Sequence, residues 1–342
     1  MKKKCNVIGV FPPPYGGATV KCKLFNEILQ NNGYCTYIID IYEINRKKQK
    51  VFPIFFECIK AFCSKEPIIY CLDSKRLNVI TLLQNLFAFS FPRTTVVAVG
   101  GAFNEVLLEL PSLKERLKRV GNIWVETEGL KEQLRNMGFK NIEFFPNPKS
   151  EQGSCRPQMS DPREPLKILY FSQISREKGV GDIIDLVELL EKDKTVSFEM
   201  DFYGHVEENF DLEFQKFLRR SKNVKYCGIY DSTKQDLYSK LNEYDVLLFP
   251  THWNTEGVPG ILVEAKMAGL AIIASDRSYN SEIVRTEKME GILLYQDYVK
   301  EMFEAIKKLS AERGYLMEIK EASYQSRERY AMSSFEEIVK KI

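Results

Sequence analysis

Glu256-Gly-Val-Pro-Gly-Ile-Leu-Val-Glu264 is the stretch on which the reading of this 342-residue chain turns. It follows Tyr244-Asp-Val-Leu-Leu-Phe-Pro250, an apolar run of the length of a buried strand. It runs into Ala265-Lys-Met-Ala-Gly-Leu270, which continues a helix. The local order is therefore strand, loop, helix. Gly257, Val258, Pro259 and Gly260 form a tight bend whose backbone N–H groups can point at a ligand. Pro259 suits the first helical turn, where its missing donor costs nothing. Free N–H groups at a helix N-terminus suit an anion or a hydroxyl-rich ligand. With the helix starting near Gly260, Glu264 stands about one turn in, on the loop-facing end, and Glu256 stays on the loop. Both carboxylates can then face a crevice at the carboxyl edge of a sheet, where open α/β folds bind ligands. A carboxylate accepting from two neighbouring hydroxyls holds a ribose. Alone, two such glutamates read as solvated surface charges; the Gly-Val-Pro-Gly between them and the strand before them favour a site.

These residues resemble the signature of retaining glycosyltransferases of family 4, which have the GT-B fold. There the two glutamates have the same spacing, followed by Glu-Ala and a Gly just before the next strand. This chain has Glu264-Ala265, Gly269 and then Ala271-Ile-Ile-Ala-Ser-Asp276. The resemblance implies an α/β protein of two Rossmann-like doubly wound domains facing across a cleft. Residues 1–150 would form the acceptor-binding domain, 151–165 a linker and 166–325 the nucleotide-sugar-binding domain. Residues 326–342 would form a C-terminal helix packing back on the first domain.

Bulk properties agree with two soluble globular domains: the chain is long for one core, with 44% hydrophobic and 28% charged residues. The net charge is only +2, yet residues 1–164 carry 24 Lys and Arg against 16 Asp and Glu, and residues 165–342 carry 25 against 31. A basic first half suits an anionic partner, either a diphosphate-linked acceptor or an acidic membrane surface; an uneven solvated surface gives the same count. None of the eight cysteines forms a Cys-x-x-Cys pair, and only His205 and His252 are present, so metal-ligand spacing is absent. Several cysteines lie in apolar stretches and read as buried thiols of a reducing cytoplasm. The N-terminus lacks the pattern of a signal peptide, and no apolar run is long enough to span a bilayer.

Along the chain, Cys5–Phe11 reads as a first strand, followed by Pro12-Pro-Pro-Tyr-Gly-Gly17 and a helix over Ala18–Gln30. Strand, Gly-rich turn and helix is the layout of a phosphate cradle, and equally of a proline-stiffened connection. In family 4 this loop approaches the donor diphosphate and the acceptor, which puts Gly16 and Gly17 at the donor. Asn45-Arg-Lys-Lys-Gln-Lys50 is basic and precedes Val51–Phe62, rich in Phe. Such a string fits an interfacial helix, but a core-facing helix behind a basic loop is favoured. Leu77–Phe91 reads as a second apolar helix with the same two readings. Strands at Thr36–Ile41, Pro67–Leu72, Thr94–Val99, Asn122–Glu126 and Asn141–Phe145 complete a parallel sheet. Many family members have a donor-contacting histidine near the turn after the fourth strand; Val99 stands there here. Pro146-Asn147 matches the Pro-Asn that ends the first domain in this family.

The pattern restarts at strand Leu166–Phe171. Its following loop, Ser172-Gln-Ile-Ser-Arg-Glu-Lys-Gly179, can neutralise a diphosphate leaving group with its basic side chains. The family has Lys-Gly here, matched by Lys178-Gly179, and an arginine five residues earlier, where this chain has Gln173. Arg176 is the nearby substitute. After the short strand Val224–Tyr226, Tyr230 and Asp231 fall on the loop that in the family receives the nucleobase. Trp253 suits stacking on a sugar face or packing on a neighbouring helix, and the isolated His252 reads as a satisfied loop residue. Helices follow at Tyr298–Glu312 and Tyr315–Ile342, the second broken near Ala331–Ser334, with Ser333–Lys341 crossing back.

The resemblance implies a hexosyltransferase-type enzyme. It would move a sugar from a UDP- or GDP-sugar to a glycan acceptor, with retention and without a metal or other cofactor. Lys178 and Glu256 would act at the reacting sugar and diphosphate, Glu264 at the ribose, and the Gly257–Gly260 amides at sugar or phosphate. The basic, aromatic-rich first half favours a lipid-linked oligosaccharide acceptor of surface-polysaccharide assembly. It also favours a cytoplasmic protein in peripheral contact with the inner face of the membrane; nucleic acid is not expected. Two other classes stay open. One is a non-catalytic GT-B scaffold subunit, favoured by Val99 and Gln173. The other is a sugar-nucleotide epimerase or hydrolase, for which Glu105, Glu126 and Glu128 are the available first-domain carboxylates.

Overall fold

Parallel strands covered on both faces favour nearly continuous apolar sequence, as in Ile68–Leu72, Thr94–Ala98, Val246–Phe249 and Ala271–Ser275, each buried along its whole length. The computed structural model describes residues 3–13, 17–98, 100–231, 236–255, 257–340 and 342. Gly16, Val99 and Glu256 therefore lie outside the described residues.

The first six strands are β1 (Lys3–Gly9), β2 (Tyr34–Asp40), β3 (Ile68–Leu72), β4 (Thr94–Ala98), β5 (Asn122–Val125) and β6 (Ile142–Phe144). They form one parallel sheet in the order β2-β1-β3-β4-β5-β6. The next six are β7 (Leu166–Phe171), β8 (Phe198–Tyr203), β9 (Val224–Tyr226), β10 (Val246–Phe249), β11 (Ala271–Ser275) and β12 (Ile292–Leu294). They form a second parallel sheet in the order β12-β11-β10-β7-β8-β9. Both orders reverse partway through, as in doubly wound folds, between β1 and β3 in the first sheet and between β7 and β10 in the second. Ligands of such sheets bind outside the carboxyl ends of the strands at that reversal. The second sheet is covered on both faces. Helices Val180–Asp193, Asp211–Arg220 and Tyr298–Ala311 pack on one, and helix Gly260–Met267 with segment Leu237–Leu241 on the other.

The chain divides into two compact units, Met1–Asn147 with Phe335–Ile342, and Pro148–Ser334. The C-terminal residues are fastened within the first unit. The Tyr34 hydroxyl donates to the Val339 and Ile342 carbonyls at 3.2 and 2.9 Å, and Phe335 stands edge-on to Phe145 at 5.6 Å. Segment 151–165 has no regular structure and is tied into the second unit. Cys155 N–H donates to the Met267 carbonyl, Arg313 to the Glu164 carbonyl and Lys320 to the Gln158 carbonyl, at 2.9 to 3.0 Å.

Two expectations shift. The apolar stretch Leu77–Phe91 is not one helix: an α-helix covers Ser74–Gln84, and a 3-10 run, broken at Phe87, covers Asn85–Arg93. Pro92 disfavours helix in the residue before it. The buried Gln84 also fixes the change of direction, accepting from the Tyr70 hydroxyl and donating to the Ser90 and Thr94 hydroxyls. At the C-terminus the break comes at Gln325, earlier than Ala331, and 3-10 turns lead to Phe335. The Val51–Cys63 helix buries Ile54, Cys58, Ala61 and Phe62 but leaves Val51, Phe52, Phe55 and Phe56 exposed. The core-facing reading thus accounts for one of its faces. Among the described residues, no helix is long and apolar enough to cross a membrane.

Candidate active site in the second unit

The site is built from the loops that leave β7 and β10 at the sheet's reversal. The β7 loop turns at Gly179, which has φ +78° and precedes helix Val180–Asp193. An added Cβ there would stand 2.0 Å from the Pro250 carbonyl oxygen, so only glycine lets the two loop backbones approach so closely. Further bonds join them: His252 N–H donates to the Glu177 carbonyl at 2.9 Å, and His252 Nε2 lies 2.6 Å from Asp182 Oδ2. The His252 ring also stacks on Tyr298 at 4.9 Å, so His252 is a satisfied loop residue, as its isolation in sequence implied. This junction sets Lys178 beside segment 251–255, which leads into the Gly257–Gly260 bend.

Lys178 is largely withdrawn from solvent, and burial pushes its ammonium down to about 8. Its Nζ lies 5.4 Å from the ring centroid of Trp253, which is 47% exposed. A cation and an open aromatic face therefore share one rim, the combination that would take an anion with a sugar ring beside it. At the bend, Pro259 is the residue before helix Gly260–Met267, and it makes no side-chain capping bond to that helix. The Val258 side chain is 5% exposed and belongs to the core, so it offers a ligand only backbone. Glu264 lies one turn into the helix, where the spacing put it. Its Oε1 receives a 2.8 Å bond from Lys149 Nζ, and both side chains are mostly covered.

Lys149 was not legible in sequence as a site residue. It is 115 positions from Glu264 and stands just after Asn147, whose left-handed φ of +52° turns the chain. It is then held by backbone pairing with Tyr330 and Met332. The Pro146-Asn147-Pro148 run signals that a turn occurs there, not what the next side chain meets.

Tyr230 sits at an aromatic cluster outside the ends of β7 and β8. Its ring centroid is 5.6 Å from that of Phe171 and 6.0 Å from that of Tyr203, which themselves stack at 5.5 Å. The Tyr230 hydroxyl is buried with no partner among the described residues, which marks a place where a ligand acceptor or water belongs. Arg176 is engaged elsewhere: its exposed guanidinium pairs with Glu213 and lies over the Phe210 ring. In the first unit, Gly17 opens helix Gly17–Asn31, and Glu126, nearly buried after β5, is paired with Lys21. Glu128 is paired with Lys131. No group of three or more His, Cys, Asp or Glu among the described residues is arranged to hold a metal.

The fold is that of GT-B proteins. Over 99% of its length the chain superposes on sucrose-phosphate synthase from Thermosynechococcus elongatus, covering 98% of that chain with a TM-score of 0.75 at 14% identity. Anabaena HepE, solved in complex with UDP and glucose, matches over 99% of this chain and 98% of its own, with a TM-score of 0.73 at 13% identity. Residues 155–326 match the family described as glycosyl transferases group 1, and the chain belongs to that family. In sequence it is 27% identical over 124 residues to the capsular polysaccharide biosynthesis glycosyltransferase CapH of Staphylococcus aureus. It is 28% identical over 130 residues to the amylovoran biosynthesis glycosyltransferase AmsK of Erwinia amylovora. Each match takes in 35% of this chain and only 33% and 30% of those relatives.

Proposed function

We propose that the protein is a retaining glycosyltransferase. It moves a sugar from a UDP- or GDP-sugar to a glycan, carried on a lipid, during surface-polysaccharide biosynthesis at the cytoplasmic face of the membrane. The observation that carries this reading is that the β7 loop bearing Lys178 and the β10 loop leading to the helix of Glu264 meet at the sheet's reversal, through Gly179 against Pro250 and Glu177 bonded to His252. In this reading the diphosphate lies between the Lys178 ammonium and the first N–H groups of that helix. Both stabilise the negative charge that grows as the sugar–oxygen bond breaks. Glu264 accepts from the ribose hydroxyls. Lys149 fixes that carboxylate in direction, so little ordering is left to be done on binding. The Tyr230 cluster takes the nucleobase, Trp253 lines the sugar, and Glu256 holds sugar hydroxyls. No metal is needed, because the leaving-group charge has these partners. The names of CapH and AmsK support polysaccharide biosynthesis, and the UDP-bound HepE supports the donor class.

Glu264→Ala is expected to weaken UDP or GDP binding about tenfold or more, roughly 1.4 kcal/mol or above, as read by calorimetry. Both the ribose acceptor and the partner of Lys149 are lost. The reaction itself is tested by incubating the full chain with donor sugars and lipid-linked acceptors and reading the anomeric coupling of the product by NMR. A product with the donor's configuration supports the proposal; an inverted product, or an epimerised sugar nucleotide, overturns it.

A further inference from the structure

The first unit carries a surface that the donor site does not use, and its reading rests on the membrane-face setting proposed above. Helix Val51–Cys63 and the Ser74–Arg93 segment lie side by side, joined by the Phe62 and Phe87 rings at 5.8 Å. Arg93 ties them further, donating to the Phe62, Ala61 and Glu66 carbonyls. Between the two helices opens a groove of about 550 Å³, lined chiefly by Ile44, Val51, Phe55, Val79, Ile80 and Leu83. Beyond its edges Phe52 is 74% exposed, Leu86 78% and Phe89 65%. Scattered exposed apolar residues are ordinary, but a concentration of them on two adjacent elements marks an interaction surface.

The charge at this surface is mainly positive once the local ion pairs are set aside. Arg46, Lys50 and Arg76 are neutralised by Asp40, Glu43 and Asp73. Lys47, Lys48, Lys60 and Lys75 make no ion pair among the described residues, and against them stands Glu57, which accepts from the Tyr37 hydroxyl. Aromatic and aliphatic side chains bordered by unneutralised lysines match an anionic lipid leaflet, apolar below and negative at the headgroups.

The geometry points to a docking site for an anionic bilayer surface. Phe52, Phe56, Val79, Leu82, Leu86 and Phe89 enter the acyl boundary, the groove takes one lipid chain, and Lys47, Lys48 and Lys75 meet the headgroup phosphates. The site belongs to the first unit alone, and it supplies the reason for the exposed faces that core packing leaves unexplained.

Co-flotation of the full chain with vesicles tests it. Binding is expected to vesicles of phosphatidylcholine mixed with phosphatidylglycerol, little to phosphatidylcholine alone, and the binding falls as salt screens the headgroups. Phe52→Ser with Phe56→Ser is expected to lower partitioning about tenfold or more, and Lys47→Glu with Lys48→Glu to a similar extent. Leu86→Ser with Phe89→Ser, on the second element, gives an independent variant. All replace exposed side chains, so unchanged circular dichroism and UDP or GDP binding confirm folding and keep the donor site as a separate result. Wild-type protein that ignores both vesicles, variants that bind like wild type, or uptake of a monomeric fatty acid without vesicle binding would each overturn the proposal.

Discussion

Lys178→Ala is expected, on the proposed function, to lower kcat by about a hundredfold to a thousandfold, the range for removing one charge-stabilising donor from a reacting centre. Lys178 is the cation at the β7/β10 reversal, and its ammonium is held near 8 by burial. An anion arriving beside it favours the charged form and raises that value. The alkaline limb of kcat/KM, which reports the free enzyme, is therefore expected near pH 8, with activity present below it and lost above. The limb of kcat lies at higher pH, because the bound diphosphate holds the proton. In Lys178→Ala both limbs disappear.

The same lysine costs stability. The unfolded chain keeps its proton up to 10.5, the ordinary lysine value, while the folded chain releases it near 8. Between those values the unfolded state binds more protons, so this group makes stability rise with pH. At neutral pH Lys178→Ala is accordingly expected to unfold no lower than wild type, and slightly higher. A large loss of activity with a lowered melting temperature would mean that Lys178 is structural and not catalytic.

Glu290→Gln is expected to destabilise the protein by about 3–5 kcal/mol, the cost of stranding a buried charge. That corresponds to roughly 6–20 °C in melting temperature for a unit of this size. Glu290 is 3% exposed and faces three cations. Lys266 Nζ lies at 3.2 Å, Arg285 Nε at 2.9 Å and an Arg329 nitrogen at 3.7 Å. Lys266 is wholly buried, two residues beyond Glu264 on the same helix, and also donates to Ser326 at 2.6 Å. The cluster thus fastens the helix that bears Glu264 to the Ser326–Tyr330 turn. Its asymmetry is testable. Lys266→Met leaves Glu290 with two arginines and is expected to cost less than Glu290→Gln, which leaves Lys266 no anion. Differential scanning calorimetry of both variants checks the order.

The parts of this fold that sequence could reveal are those set by local pattern. Strands β7, β9 and β11 fall where the apolar runs placed them, and the helix after the bend starts at Gly260. A strand covered on both faces is mostly apolar, as Ala271–Ser275 is, and a Pro-Gly bend fixes a helix start. Leu77–Phe91 misled because its apolar content is helical in character, whereas its path is set by Gln84 bonding to Ser90 and Thr94. Arg176 stands apart from Lys178 in this structure. Nearness to Lys178 in sequence says nothing about which side of a loop a side chain takes, and Glu213 on a different helix claims it. Lys149 and the Glu290 cluster join residues far apart in the chain, and no periodicity encodes such pairings.

On the proposed function, the second unit holds a nucleoside diphosphate between Lys178 and the helix bearing Glu264. Calorimetric titration of the full chain with UDP and with GDP tests it most directly. The expected result is saturable one-to-one binding of one nucleotide, weakened about tenfold or more by both Lys178→Ala and Glu264→Ala. Absence of binding by either nucleotide, or binding that both substitutions leave unchanged, would contradict it.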